Sequence, residues 1–63
     1  MNKIKIYEKF IVRGNKEYDF IINQIYFGNK KANKTYEIKE NGKEILCTSL
    51  QQTFYKYMRQ ISK

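Results

Sequence analysis

Apolar and polar side chains alternate along the start of the chain with the period of a β-strand. From Lys3 to Arg13 every second residue is basic, apart from one tyrosine and one isoleucine, and the intervening residues are mainly apolar. Because successive side chains of a strand point to opposite faces, this alternation predicts a strand over residues 3–12 with a cationic face and an apolar face. The cationic row consists of Lys3, Lys5, Tyr7, Lys9, Ile11 and Arg13.

A turn and a second strand follow. Glycine and asparagine, which tolerate positive φ, predict a turn at residues 13–16, and residues 17–27 then form the second strand. The apolar positions of this strand change from even numbers to odd numbers near residues 23–24. A bulge at that point would keep one face inward, and the alternative is a strand that is buried on both faces. The positions in question are Tyr18, Phe20, Ile22, Ile25 and Phe27.

The middle of the chain predicts a loop and a hairpin. Residues 28–34 begin with glycine, contain three lysines and show no periodicity, so we expect a mobile basic loop. Residues 35–39 then make a short strand. Asn41-Gly42 is a strong signal for a two-residue hairpin turn, after which residues 43–48 return as a fourth strand.

The last segment has helical periodicity. Its apolar residues recur at offsets that place them on one face of an α-helix, and Thr48 or Ser49 can cap the helix. A helix this short needs tertiary packing, so the apolar stripe is interpreted as core. The stripe is Leu50, Phe54, Tyr57, Met58 and Ile61, and the solvent face is Gln51, Tyr55, Lys56, Arg59 and Lys63.

Together these elements predict one α+β domain over residues 1–63, a four-stranded antiparallel β-meander followed by one C-terminal amphipathic helix. One helix covers only one face of such a sheet. Ile11, Ile21 and Leu46 point away from the main apolar set, so we expect a ligand or a second copy to close the other face. A chain of 63 residues is also too short for a large core, and both arguments predict a homodimer.

The amino-acid composition indicates the cellular environment of the protein. The chain has one cysteine and no histidine, which excludes an internal disulfide and an ordinary zinc site. No apolar run approaches the roughly 20 residues that span a bilayer, and Met1 to Lys5 lead into strand instead of a signal sequence. We therefore expect a protein of the reducing cytoplasm, without a membrane partner. Lys, Asn, Ile and Tyr, whose codons are A/T-rich, make up 32 of the 63 residues, which favours a phage or mobile-element source in a bacterial host.

The net charge of +7 is concentrated in three basic segments, residues 1–16, 28–36 and 45–63, separated by mildly acidic ones. Evenly spaced cations around a tyrosine suit a polyanion with bases that can stack, which predicts binding of single-stranded nucleic acid. The alternative is that the lysines only keep the protein soluble and prevent edge pairing. The predicted site comprises Lys3, Lys5, Tyr7, Lys9 and Arg13, together with Lys30, Lys31 and Lys34 of the expected loop.

Tyrosines add candidate stacking groups. Tyr7, Tyr26, Tyr36 and Tyr55 are candidates, and Tyr7 is preferred because it alone lies between lysines. Any single tyrosine is also explained by strand or interface packing. Cys47 alternates with Ile45, so it is expected to be a small buried apolar residue.

Catalytic chemistry is disfavoured. The sequence contains no nucleophilic triad, no phosphate-binding glycine loop and no histidine to act as a base, so no catalytic residue, cofactor or metal is assigned. The one exception considered is Glu17 and Asp19, which share a strand face and with Glu37 could hold Mg²⁺ for DNA nicking. The preferred interpretation is that these acids pair with lysines across strands.

The stretch from Thr35 to Ile61, TYEIKENGKEILCTSLQQTFYKYMRQI, combines a closing hairpin, a short strand ending in hydroxyl residues and an amphipathic helix. This organisation resembles the single-stranded-DNA-binding transcriptional coactivator family called positive cofactor four. Small phage proteins of similar fold inhibit bacterial CRISPR immunity. The resemblance implies a homodimer formed through the helices, with basic and aromatic residues of the sheets holding unpaired DNA.

The sequence therefore predicts a small basic protein that binds single-stranded or distorted DNA or RNA through its lysine-rich strand. The alternative is an anti-CRISPR-like inhibitor that binds a host defence protein or nucleoprotein through the exposed sheet. Charge reversal and apolar substitution at the sheet surface distinguish the two.

Overall fold

The structure, a computed structural model, describes residues 1–63 as one sheet and one helix. The strands pair in chain order and all neighbours are antiparallel, which confirms the predicted α+β meander with a C-terminal helix. The elements are β1 (Asn2–Arg13), β2 (Lys16–Phe27), β3 (Lys30–Glu40), β4 (Lys43–Thr48) and α1 (Gln51–Ser62).

Two-residue turns connect all four strands. Asn41 and Gly42 have φ values of 51° and 80°, as a type I′ hairpin turn requires at both central positions, which confirms the predicted hairpin. Asn41 is also anchored to β2, because its backbone N–H donates to the Glu17 carbonyl at 2.7 Å and its side-chain oxygen accepts the Glu17 N–H at 2.9 Å. The predicted turn after Arg13 is likewise present, at Gly14 and Asn15.

The predicted loop at residues 28–34 is wrong. Gly28, with a φ of 60°, lets the chain reverse within two residues, and β3 begins at Lys30. Lys30, Lys31 and Lys34 therefore lie on a strand instead of a mobile loop. The segment lacks an apolar alternation because neither of its faces is covered, and its order comes from backbone pairing with β2.

Three bulges shift the register of the sheet. β1 carries an extra residue, Ile6, between the pairs Lys5–Asn23 and Tyr7–Ile22. β3 carries an extra residue within Ala32–Asn33, and β4 carries one at Ile45. Because a bulge reverses the alternation of side chains, each one moves the following residues to the other face of the sheet.

The bulge at Ile6 contradicts the single cationic row predicted for β1. We call the side of the sheet that α1 covers the inner face and the opposite side the outer face. Lys5 pairs with Asn23 and Tyr7 pairs with Ile22, and these two neighbours on β2 point to opposite faces. Lys3 and Lys5 therefore lie on the outer face. Tyr7, Lys9, Ile11 and Arg13 lie on the inner face.

The structure also corrects the expectation that Ile11, Ile21 and Leu46 all point away from the main apolar set. Ile11 and Leu46 lie on the inner face, where they are partly buried against the core. Only Ile21 points to the outer face, opposite Glu8 and Glu37. The bulge predicted in β2 near residues 23–24 is absent, because the extra residue belongs to β3 and Ile25 and Phe27 stay on the outer face. The alternative, a strand buried on both faces, holds at the centre of β2, where the outer-face residues Ile21 and Asn23 are 6% and 4% exposed.

The core lies between the inner face and α1. It consists of six buried residues, five from the centres of β2 and β3 and one from the helix. The ring of Phe54 is fully buried and contacts Phe20 edge-on, with ring centroids 6.3 Å apart, and Tyr36 at 5.2 Å. The six are Tyr18, Phe20, Ile22, Tyr36, Ile38 and Phe54.

The helix buries only part of the predicted stripe. Phe54, Met58 and Ile61 pack against the core, whereas Leu50 and Tyr57 are 63% and 45% exposed. Leu50 has extended φ and ψ because α1 begins only at Gln51, and no side chain caps the helix. The Thr48 hydroxyl instead accepts the backbone N–H of Leu50 at 3.0 Å.

One end of the sheet extends beyond the helix. β4 pairs only with residues 36–40 of β3, so residues 1–7 and 23–35 form a three-stranded extension, which we call the arm. The molecule is 42 Å in its longest dimension, and its radius of gyration is 12.5 Å. A compact domain of this length would have a radius of about 11 Å. The arm makes the molecule elongated.

α1 is the only helix, and it is too short and too polar to cross a lipid bilayer.

Phe54→Ala should destabilise the fold by about 3–5 kcal/mol, because it removes the only fully buried side chain that the helix contributes to the core. Tyr57→Ala, on the exposed side of the same helix, is the matched control and should cost less than about 1 kcal/mol. Urea unfolding followed by circular dichroism measures both. Equal effects of the two substitutions would contradict this description of the core.

Candidate nucleic-acid interface

The arm gathers positive charge from two distant parts of the sequence. Its two stretches, residues 1–7 and 23–35, contain five lysines and no aspartate or glutamate. Antiparallel pairing of β1 with β2 and of β2 with β3 brings these stretches together, and all five lysines are exposed. Six of the eight predicted site residues therefore lie at one end of the sheet: Lys3, Lys5, Tyr7, Lys30, Lys31 and Lys34.

The bulge at Ala32–Asn33 places two of these lysines on one face. Lys34 pairs with Gln24 and Lys31 pairs with Tyr26, and both partners are even-numbered residues on the inner face of β2. Without the bulge, two residues three apart would point to opposite faces. The amide nitrogen of Gln24 donates to the Ala32 carbonyl at 2.7 Å and so fixes the bulged backbone.

Aromatic and apolar side chains accompany Lys31 and Lys34 on the inner face of the arm. Tyr26 is half-buried beside Lys31, and Tyr7 is 40% exposed where the arm meets the core. Ile4 pairs with Gln24 and is 51% exposed. We call this set, Ile4, Tyr7, Tyr26, Lys31 and Lys34, the inner arm surface.

The other three arm lysines lie on the outer face. Lys3 pairs with Ile25, Lys5 with Asn23 and Lys30 with Phe27. The Lys5 ammonium donates to a Glu8 carboxylate oxygen at 2.9 Å, and this hydrogen bond and charge raise the pKa of Lys5. Lys5 is consequently less available to an external anion than the lysines without an acidic partner.

Lys9 and Arg13 lie outside the arm. Six residues of strand separate Tyr7 from Arg13, a distance of about 20 Å. Both side chains line a shallow groove with Ile61 and Lys63 at the end of α1. The Arg13 guanidinium donates to the Ile61 carbonyl, so it satisfies a free backbone group at the end of the helix. Arg13 is thus far from the other predicted site residues, whereas Lys9 lies outside the arm but next to Tyr7 on the inner face, about 7 Å away along β1.

The four candidate tyrosines differ in accessibility. Tyr36 is only 6% exposed and belongs to the core, so its ring is not accessible to a base. Tyr55 lies on the solvent side of α1 with its ring against Phe54, at a centroid distance of 5.3 Å. Tyr7 and Tyr26 remain as accessible rings beside lysines. Tyr26 was not assigned to the predicted site, because only the strand register reveals that it neighbours Lys31.

A second cluster on the outer face is acidic. Asp19 on β2 lies beside Glu8 on β1, and one of its carboxylate oxygens is buried without a hydrogen-bond partner. Partial burial and the neighbouring Glu8 raise the pKa of Asp19. The hydrogen bond from Lys5, followed by the interaction with Asp19, lowers the pKa of Glu8.

The magnesium site considered for Glu17, Asp19 and Glu37 is not assembled. Glu37 is instead close to Glu44 and Cys47, whose ligand atoms all lie within 4.8 Å of one another. Cys47 is exposed, contrary to the prediction that it is buried, because it points to the uncovered outer face of β4. Partial burial of its sulfur and the nearby carboxylates of Glu44 and Glu37 raise the pKa of the thiol. It therefore stays protonated at neutral pH, which disfavours nucleophilic or metal chemistry.

No family model matches this chain, and no curated protein or solved structure matches it either. The resemblance to the positive cofactor four family stays a prediction.

Asp19→Asn should raise the melting temperature at neutral pH, because an amide can donate to Glu8 where two carboxylates repel each other. The folded-state pKa of Asp19 is raised, so the wild type loses stability as the pH rises through that pKa and regains it on acidification. The advantage of the variant should accordingly shrink as the pH falls from neutral towards the ordinary aspartate pKa of about 4, where Asp19 becomes protonated in both the folded and the unfolded state. Thermal unfolding across pH measures it, and a difference independent of pH would contradict the assigned cause.

Proposed function

We propose that this protein binds single-stranded or locally unpaired nucleic acid through the inner arm surface. One observation supports the proposal: strand pairing brings five lysines from two separate, acid-free stretches to one end of the sheet, and two of them, Lys31 and Lys34, lie on its inner face beside Tyr26. Each phosphate neutralised by a lysine releases condensed counterions, and this sequence-independent effect supplies most of the affinity of such proteins.

The chemistry of the surface favours a single strand over a duplex. Tyr7 and Tyr26 offer ring faces, and stacking of an unpaired base on an aromatic ring is worth about 1–3 kcal/mol. Bases in a duplex are already stacked on each other and cannot use these rings. In this proposal Lys31 and Lys34 contact the phosphates next to a base stacked on Tyr26, the residue with which Lys31 pairs.

The surface offers few groups that could read sequence, and Asn2, opposite Tyr26, is the exposed amide that β1 contributes to it. Direct readout requires free donors and acceptors facing the base edges. Gln24 is the polar side chain at the centre of the inner arm surface, but it is buried, and its amide nitrogen donates to the carbonyls of Ala32 and Ile25. The proposal is therefore binding with weak sequence preference. Its setting would be the cytoplasm of a bacterial host, and the A/T-rich codon usage implied by the composition supports a phage or mobile-element source.

The test is fluorescence anisotropy of a labelled single-stranded oligonucleotide at several salt concentrations, with a duplex of equal length. Lys31→Gln combined with Lys34→Gln should weaken binding and reduce the salt slope by about 0.7 for each lost phosphate contact. The matched control is Lys43→Gln combined with Lys56→Gln. These substitutions remove the same charge from the start of β4 and the exposed side of α1.

Equal losses in the two double variants would show that only net charge matters, which would contradict a specific surface. Binding that is absent from the wild type even at low salt would show that the lysines serve solubility and edge protection. A host defence protein would then be the partner to seek.

A further inference from the structure

The free edges of the sheet are protected at every place but one. β4 is short, carries a bulge at Ile45 and begins with the charged pair Lys43 and Glu44. The free edge of β3 in the arm carries a bulge and three lysines, and β1 is interrupted by Ile6 within the arm. Short strands, bulges and lysines are the usual means of preventing edge pairing. Residues 7–13 of β1 are the one long regular stretch of free edge.

The same stretch exposes large apolar side chains. Phe10 and Val12 on the outer face are 59% and 62% exposed, and β1 has no neighbouring strand on its open side. The molecule also has 4770 Å² of accessible surface, compared with about 4300 Å² for a folded monomer of 7.7 kDa. Both observations indicate a surface that a second chain could cover.

The backbone groups available for pairing follow from the β1–β2 hairpin. Arg13 and Lys16 flank a two-residue turn, so they form the hydrogen-bonded pair that closes it. The odd-numbered residues from Tyr7 to Arg13 therefore direct their N–H and C=O groups towards β2. Glu8, Phe10 and Val12 direct theirs towards the open edge.

We propose that two copies of this chain pair antiparallel along β1, across a two-fold axis at Phe10. A two-fold axis perpendicular to the sheet keeps every side chain on its own face. A residue can therefore pair only with a residue of the same face, and this requires the axis to lie between the two copies of one residue. An axis at Glu8 would place two glutamates opposite each other, and an axis at Lys9 would place two lysines opposite each other. An axis at Ile11 would place Lys9 opposite Arg13. An axis at Val12 would leave only residues 11–13 of each copy to pair, because β1 ends at Arg13. Like charges directly opposite each other are destabilising.

The axis at Phe10 avoids every such conflict. Phe10 then faces Phe10 of the second copy, and Glu8 faces Val12 through the open-edge hydrogen bonds. On the inner face Lys9 lies opposite Ile11, and Tyr7 lies opposite Arg13, so no like charges face each other. The pairing ends before Ile6, so the bulge lies outside it.

The proposed pairing along β1 determines the architecture of the dimer. Two sheets of four strands become one continuous sheet of eight, with both helices on the same face. The arms extend from opposite ends, so the two inner arm surfaces face the same side. The interface differs from the helix-mediated one that the family resemblance implies.

Disulfide trapping tests the register directly. In a Cys47→Ser background, Phe10→Cys places two thiols opposite each other at the axis, at a Cα separation of about 5.5 Å that a disulfide accommodates. Val12→Cys in the same background is the matched control. Its two thiols would be four residues apart along the strand, about 13 Å, which is too far to bond.

Mild oxidation without nucleic acid should give a covalent dimer for the Phe10→Cys variant and none for the Val12→Cys control. Light scattering should give twice 7.7 kDa for the wild type at micromolar concentration and the monomer for Phe10→Lys, whose circular dichroism should be unchanged. A monomeric wild type, or a dimer that cross-links equally at both positions, would overturn the proposal. Because no oligonucleotide is present, these results are independent of the proposed nucleic-acid site.

Discussion

The mismatch in length between one short helix and a long sheet determines most features of this molecule. α1 has 12 residues and spans about 18 Å, whereas the molecule extends for 42 Å along the strands. Phe54 can therefore seal only the central part of the inner face, where it packs against Phe20 and Tyr36. The rest of the sheet is held by backbone pairing and a few side-chain hydrogen bonds, such as the one from Gln24 to the Ala32 carbonyl. The arm, its exposed lysines and the bare edge of β1 all follow from this limited coverage.

Much of the fold could be predicted from local sequence, because turns and helices depend on residues that are close in the chain. Asn41-Gly42 has a strong conformational preference, and the spacing of Phe54, Met58 and Ile61 has the helical period. The turn at Gly28 was missed because the strand after it has no apolar alternation. Nothing in its own residues shows that β2 pairs with it.

The candidate site was harder to predict, since it depends on register. The bulge at Ile6 divides the row of cations that simple alternation predicts, and the bulge at Ala32–Asn33 brings Lys31 and Lys34 to the same face. Bulges have no strong sequence signal, and a shift by one residue transfers every later side chain to the other face. The lysines of the arm also have two compatible roles, because charges that prevent edge pairing are equally available to phosphates. Their convergence, more than their number, supports a binding surface.

The most direct test of the account is an NMR titration of ¹⁵N-labelled protein with a single-stranded oligonucleotide, because it locates binding and checks the fold of the arm together. If the arm binds the oligonucleotide, amide shifts should change mainly in residues 1–7 and 23–35. Residues 30–35 should show the cross-strand contacts of an ordered strand. Shift changes centred on Lys9, Arg13 and the end of α1, or disorder in residues 28–34, would contradict the account.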